Sequence, residues 1–115
     1  RIAYTPELLE EASALYAYVL MDSPSRMLDG LGISEAEIDA IRRAIATGGP
    51  KAAMPLVRPD MIQRYQLAGT PDECRQAITT LVARHELDAI VMNVTTAGIE
   101  ANRRLLQDIR SIVQA

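Results

Sequence analysis

Two short polar stretches hold residue types that could contact a ligand. The first is Gly69-Thr70-Pro71, which opens a predicted helix after a short apolar segment. Amides at a helix N-terminus attract anions, so Gly69 and Thr70 are candidates to contact a phosphate of a cofactor or substrate. Thr70 also forms a capping-box pattern with Glu73, and a plain helix cap without any ligand is the alternative explanation.

The second stretch follows an apolar run at 87–94. Asn93, Thr95 and Thr96 offer amide and hydroxyl groups that could hydrogen-bond a substrate. As an alternative they only form the turn before the last helix, because such residues favour turns. No catalytic residue and no metal ligand is assigned. No pair of carboxylates converges, and His85, the single histidine, has no second ligand at zinc spacing.

Three further side chains carry a thiol or a positive charge. Cys74, the only cysteine, shares an apolar stripe with Ile78 and Leu81, which predicts a packed and unreactive thiol. Lys51 and Arg58 lie in a proline-rich segment. If that segment covers a site as a lid, they could reach an anionic ligand.

Composition excludes several classes of protein. The chain has 115 residues, enough for one domain, and 49% of them are hydrophobic, so it can bury a core. The net charge of −3 gives no basic surface for nucleic acid or anionic lipid, and 3% aromatic residues make a base-stacking surface improbable. A single cysteine excludes an internal disulfide. With no membrane-length apolar run and no signal peptide, a cytoplasmic protein is expected.

The first region, 1–61, is predicted to be helical. Thr5-Pro6 starts a helix that extends to about residue 21, and a short helix closed by Gly30 follows. The capping box from Ser34 to Glu37 starts another helix, which Gly48-Gly49-Pro50 ends, and 51–57 forms one more short helical piece.

The second region, 62–115, alternates strand, helix, strand and helix. A short strand is predicted before Gly69, a helix to about Arg84, a strand buried on both faces at 87–94 and a last helix from Ile99. This alternation predicts a parallel sheet with right-handed crossovers. Two strands leave both edges open, so the missing strands are expected from preceding sequence or from another chain. The sequence opens on Arg1 instead of Met, which is compatible with a fragment, a processed product or a trimmed chain.

The stretch 64–93, RYQLAGTPDECRQAITTLVARHELDAIVMN, resembles the C-terminal end of luciferase-like monooxygenases. That superfamily includes bacterial-luciferase-type flavin enzymes and reductases that use a deazaflavin coenzyme. The segment SPSRMLDGLGI at 23–33 is similar to part of a helical excursion that members carry before the last strands. His85-Glu86-Leu87 stands where the family commonly has glycine before the last strand.

The resemblance implies a partial (β/α)8 TIM barrel, which as an isolated chain is mostly helical. A whole barrel needs roughly 250 residues, so 62–115 would supply its last two βα units and 1–61 the excursion. The parent would be an oxidoreductase using FMN or an 8-hydroxy-5-deazaflavin coenzyme on a small-molecule substrate. This segment would add one wall of the site, with Gly69 and Thr70 at the cofactor and Asn93, Thr95 and Thr96 at the substrate. Alone it would be inactive.

Two other hypotheses stay open. The chain could be a small helical interaction domain that catalyses nothing, since it has no convergent catalytic set. It could also assemble from pieces, as a homo-oligomer or by association with the missing part of the barrel. Neither nucleic acid nor membrane is expected as a partner.

Overall fold

Helices make up most of the chain in the computed structural model, which describes residues 1–93 and 96–114. A two-residue strand precedes the first four helices, and a second one precedes the last two. In chain order the elements are β1 (Ile2–Ala3), α1 (Pro6–Asp22), α2 (Ser25–Gly30), α3 (Glu35–Ala53), a 3-10 turn (Met54–Leu56), α4 (Pro59–Gln63), β2 (Leu67–Ala68), α5 (Pro71–His85) and α6 (Ile99–Gln114).

The predicted helix starts are confirmed. The Thr5 hydroxyl accepts the amide of Leu8 at 3.3 Å, and Ser34 and Thr70 each form a complete capping box. The predicted break at Gly48-Gly49-Pro50 is found as a kink inside α3, where Gly49 takes a φ of 71°. Such a φ favours glycine, and the proline that follows cannot donate a helical hydrogen bond.

The two strands pair in parallel and lie between two layers of helices. Ile2 pairs with Leu67 and Ala3 with Ala68, and the amide of Gly69 donates to the Ala3 carbonyl at 3.0 Å. Because side chains alternate along a strand, Ala3 and Ala68 enter one hydrophobic cluster while Ile2 and Leu67 enter another. We call these the first core and the second core.

The first core lies on the side of the sheet that faces α1, α3 and α4. Several of its residues have no exposed surface, and the rings of Tyr16 and Tyr65 pack with centroids 5.4 Å apart. Its tightest members are Ala17, Leu20, Ile41, Ala53 and Met61. The predicted helical region therefore has a well-filled core of its own.

The second core lies on the opposite side, between α5 and α6. It contains Cys74 and Ile78 from α5, and Leu105, Ile109 and Ile112 from α6. Beside the buried face of α6, three large apolar side chains recur every seven residues with 81%, 56% and 48% of their surface exposed; they are Ile99, Leu106 and Val113. This side of the sheet is less completely covered.

The structure corrects two predicted strands. Residues 87–93 form no strand, and Val94, the last residue of that prediction, lies outside the described residues. The segment predicted to become a strand after residue 62 begins as helix α4, leaving only Leu67–Ala68 in the sheet. A strand depends on hydrogen-bonding neighbours, and apolar patterning alone does not supply them.

No barrel is closed within the described residues. They hold two strands of two residues each, and both faces of this sheet are covered by helices. A barrel would need one face to line its interior. The prediction of a mostly helical chain is confirmed, together with a small parallel sheet.

Candidate functional site

The carboxyl end of β2 requires glycine at position 69. Gly69 takes a φ of 134°, which L-residues rarely adopt. A Cβ added to Gly69 would lie 2.4 Å from Oε2 of Glu73. Because Gly69 has no side chain, the Glu73 carboxylate can lie against the backbone of Gly69 and Thr70.

The start of α5 is closed by its own side chains. The amide of Thr70 donates to Oε2 of Glu73 at 2.7 Å, and the amide of Glu73 donates to the Thr70 hydroxyl at 3.2 Å. The carboxylate of Glu73 occupies the place where an anion would meet these amides, and Asp72 adds a second negative charge. As it stands, the arrangement suits a helix cap and does not suit a phosphate. Cofactor contact by Gly69 and Thr70 stays a prediction.

Asn93 lies apart from Gly69 and Thr70. It is exposed and lines a pocket of about 40 Å³ that Gly69 and Thr70 do not line. Ligand pockets usually measure roughly 300–1,000 Å³, whereas this one has room for about one water molecule. The pocket is also lined by Arg1, Ile2, Ala3, Leu8, Glu11, Ala12, Gln66 and Leu105. Among the described residues, Asn93 therefore does not share this pocket with Gly69 and Thr70.

The backbone of Thr96 is bound by a residue that the sequence reasoning missed. The amide of Thr96 donates to Oδ1 of Asn102 at 3.1 Å, and Nδ2 of Asn102 donates to the carbonyls of Thr96 at 2.7 Å and Gly98 at 2.8 Å. An asparagine four residues after a glycine turn was the available signal, because its amide can reach back to the turn. Thr95, predicted to bind substrate, lies outside the described residues.

Arg58 is bound by two carboxylates. Its guanidinium contacts Asp60 through Nε at 2.9 Å and Nη2 at 3.2 Å, and it pairs with Glu37 through Nη1. The hydrogen bond from Arg58 lowers the pKa of Asp60, and the amide of Ser34 together with Arg58 lowers the pKa of Glu37. An anionic ligand would have to compete with both carboxylates. Lys51, in the last turn of α3, is exposed.

Cys74 is a packed thiol, as predicted. Its side chain has no exposed surface, and burial raises the pKa of the thiol, which disfavours the reactive thiolate. His85 is exposed in the last turn of α5. Among residues 1–93 and 96–114, no group of His, Cys, Asp or Glu could hold a metal ion.

Tyr4 and Arg75 attach α6 to distant parts of the chain through polar contacts that the sequence did not predict. The hydroxyl of Tyr4 donates to Oδ2 of Asp108 at 2.8 Å, and partial burial together with this carboxylate raises the pKa of Tyr4. Nε of Arg75 donates to the carbonyl of Ile112 at 3.0 Å, close to the end of α6. Both contacts join residues far apart in sequence.

None of the helices within the described ranges combines the length and the apolar character needed to cross a membrane.

Comparison with known proteins finds a reductase of similar sequence. A 5,10-methylenetetrahydromethanopterin reductase of Methanopyrus kandleri is 32% identical to this chain over 74 residues. The aligned part is 64% of this chain and 21% of the reductase, so the chain spans about a fifth of that relative's length. No family model matches the chain, and no solved structure matches it. The similarity supports the luciferase-like superfamily, which contains oxidoreductases.

Proposed function

We propose that this chain is the C-terminal segment of a flavin- or deazaflavin-dependent oxidoreductase of the luciferase-like family. The observation that carries the proposal is the 32% identity to a reductase over 74 residues. In such an enzyme the cofactor supplies the hydride chemistry, while the protein positions it and excludes competing reactions. The relative is a reductase, which favours hydride transfer over oxygen activation and is compatible with the deazaflavin coenzyme.

Exposed apolar surface supports a larger parent protein. The stripe of Ile99, Leu106 and Val113 on α6 keeps 81%, 56% and 48% of its surface exposed, and Val91 is 97% exposed. It widens the apolar face of α6 beyond the part that packs in the second core, and exposed apolar surface of this kind is typical of a contact with further polypeptide. The missing part of a barrel, in the same polypeptide or in a partner copy, would bury this surface.

In this proposal the two regions have separate roles. Residues 62–115 would form the last two βα units and one wall of the active site, with Asn93, Thr95 and Thr96 near a small-molecule substrate. Residues 1–61 would be the excursion that covers the mouth of the site as a lid, in a cytoplasmic enzyme. The segment alone would be inactive, because most of the surface facing the cofactor would lie in the remaining strands.

Cofactor contact at Gly69 and Thr70 requires a rearrangement. The Glu73 carboxylate, 2.7 Å from the amide of Thr70, would have to move away before a phosphate could reach that amide. Removing this charge should therefore strengthen binding of an anionic cofactor.

Binding measurements on the native polypeptide that contains this segment test the proposal. Its intact mass should correspond to roughly 250 residues or more, and it should quench deazaflavin fluorescence on binding. Thr70→Ala should weaken binding about tenfold through the loss of a hydrogen bond to a charged group. Glu73→Gln should strengthen binding by removing the competing charge.

Ser34→Ala is the matched control, because Ser34 caps α3 with the same capping box as Thr70 caps α5. It should cost similar stability and leave cofactor binding unchanged. If Thr70→Ala and Ser34→Ala change cofactor binding equally, Thr70 acts only as a helix cap. If the native polypeptide has a mass of 12.6 kDa and binds neither FMN nor deazaflavin, the proposed oxidoreductase function is wrong.

A second candidate is a small helical interaction domain without catalysis. The first core favours it, since Leu20, Ile41 and Met61 are fully buried without help from any other chain. In that case the 115-residue chain would be a stable monomer until its partner binds. Concentration-dependent association or aggregation of the isolated chain would instead favour the incomplete barrel.

A further inference from the structure

The exposed apolar stripe of α6 is flanked by arginines. Arg103 and Arg110 each follow a stripe residue by four positions, which places them beside Ile99 and Leu106 on the helix surface. These four side chains line one open groove of about 540 Å³ along α6. Arg103 pairs with Glu100 at 3.4 Å, and Arg110 forms no ion pair within the described residues. The stripe therefore combines apolar contact area with positive charge.

Helix α1 presents the opposite combination of charge and apolar surface. It contains four carboxylates and no basic residue. Five exposed residues at helical spacing share one side of it, and we call them the acidic face; they are Glu7, Glu11, Leu15, Tyr18 and Asp22. Leu15 and Tyr18 keep 39% and 42% of their surface exposed. Within the described residues, none of the three carboxylates of this face takes part in an ion pair.

The acidic face and the α6 stripe match in length. Residues 7–22 and residues 99–113 each extend for about 22 Å along their helices, at a rise of 1.5 Å per residue. Each surface has a leucine near its middle, Leu15 on α1 and Leu106 on α6. Two such helices can therefore pack side by side with these leucines in contact.

The charges match in the same arrangement. With the two leucines in contact, Glu11 lies beside Arg103 if the helices run parallel and beside Arg110 if they run antiparallel. In either direction Tyr18 meets the other arginine, whose guanidinium can stack on the phenol ring. An antiparallel pair of α6 helices would instead bring Arg103 of one copy against Arg110 of the other, and like charges disfavour that contact.

We propose that this chain associates head to tail with a second copy of itself, the acidic face of α1 in one copy docking on the α6 stripe of the next. Because the two surfaces differ, the contact leaves one of each free at the ends, and further copies can add. One pair of helices is expected to bury less than the roughly 1,200–2,000 Å² of a stable interface, so the association is weak and depends on concentration. It needs no cofactor, so its failure would leave the proposed oxidoreductase function unaffected.

Sedimentation equilibrium of the 115-residue chain over a range of concentrations tests the head-to-tail contact. The average mass should rise from 12.6 kDa with concentration and continue past that of a dimer. Leu15→Gln changes only the acidic face and Leu106→Gln only the α6 stripe, and each should weaken the association at least about tenfold. An equal mixture of the two variants should form a dimer of twice 12.6 kDa and nothing larger, because each variant keeps one intact surface.

Leu81→Gln is the matched control, because Leu81 on α5 is 38% exposed, almost as Leu15 is, and lies on neither surface. It should leave the association unchanged. If Leu106→Gln fails to fold, the exposed Arg110→Gln replaces it, and high salt should weaken the association of the natural chain by screening the same charges. If Leu15→Gln associates as strongly as the natural chain, α6 binds another surface and the head-to-tail contact is wrong. A natural chain that stays monomeric, or a mixture without a dimer, would also overturn it.

Discussion

The two cores lie on opposite faces of the same two strands, yet they are completed to different degrees. In the first core Leu20, Ile41 and Met61 have no exposed surface. In the second core only Cys74 is fully buried, while Leu105 and Ile109 each keep 9% of their surface exposed. Each face is covered by helices, and the first core receives more of them than the second.

The difference lies in where the covering residues come from. The first core is closed by α1, α3 and α4, all contributed by one continuous stretch of chain. The second core depends on α6, whose buried apolar residues are flanked by the partly exposed stripe of Ile99, Leu106 and Val113. The first core is complete within this sequence, whereas the second exposes a surface suited to additional polypeptide.

Truncation of one residue in each core should give the largest effect. Ile41→Ala should lower the free energy of unfolding by about 2–5 kcal/mol, because it leaves a cavity in a filled core. Ile109→Ala should cost less, since the second core can relax around it, and Leu106→Ala, on the exposed stripe, should stay within about 0.5 kcal/mol. Urea unfolding of the three variants checks this order. If Ile109→Ala lowers the free energy of unfolding more than Ile41→Ala does, the second core is the more tightly packed of the two.

Gly69→Ala should destabilise the junction between the two cores by about 1–3 kcal/mol, through backbone strain and displacement of Glu73. Gly30→Ala is the matched control, because an added Cβ there meets nothing within 4 Å. Because Gly30 lies in helix α2, Gly30→Ala should raise the free energy of unfolding by about 0.5–1 kcal/mol. Thermal unfolding of both variants measures the contrast, and equal shifts would argue against strain at Gly69.

The thiol of Cys74 should report opening of the second core. Its reaction with an aromatic disulfide reagent should be faster than that of Ala17→Cys in a Cys74→Ser background, although both sites have no exposed surface. Local opening at lower free energy than global unfolding would cause the difference. Because burial raises the pKa of Cys74, the thiol should react only in the open state. Identical rates would show that both cores open together.

The smallest effect should come from the charges around Arg58. Glu37 and Asp60 have lowered pKa values in the folded chain, so their contribution to stability is present above the ordinary carboxyl pKa, about 4. It is lost as the pH falls through the folded pKa values. Urea midpoints at pH 6 and pH 3 should differ less in Arg58→Gln than in the natural sequence. An unchanged difference would exclude Arg58 as the cause.

Local signals in the sequence predicted the helix starts correctly. Thr5, Ser34 and Thr70 act on amides within three residues, and the break at Gly49 needs only the conformational freedom of glycine. The packed thiol at Cys74 followed from helical spacing alone. These features could be predicted because every atom involved is close in sequence.

Only the tertiary structure decided which strands form and which charges meet. The pairing of Ile2 with Leu67 and the contact of Arg58 with Glu37 join distant residues, so no local pattern specifies them. The apolar run 87–93 has the composition of a buried strand, but a strand forms only when a neighbour offers a free edge, and Gln63 occupies the one on β2.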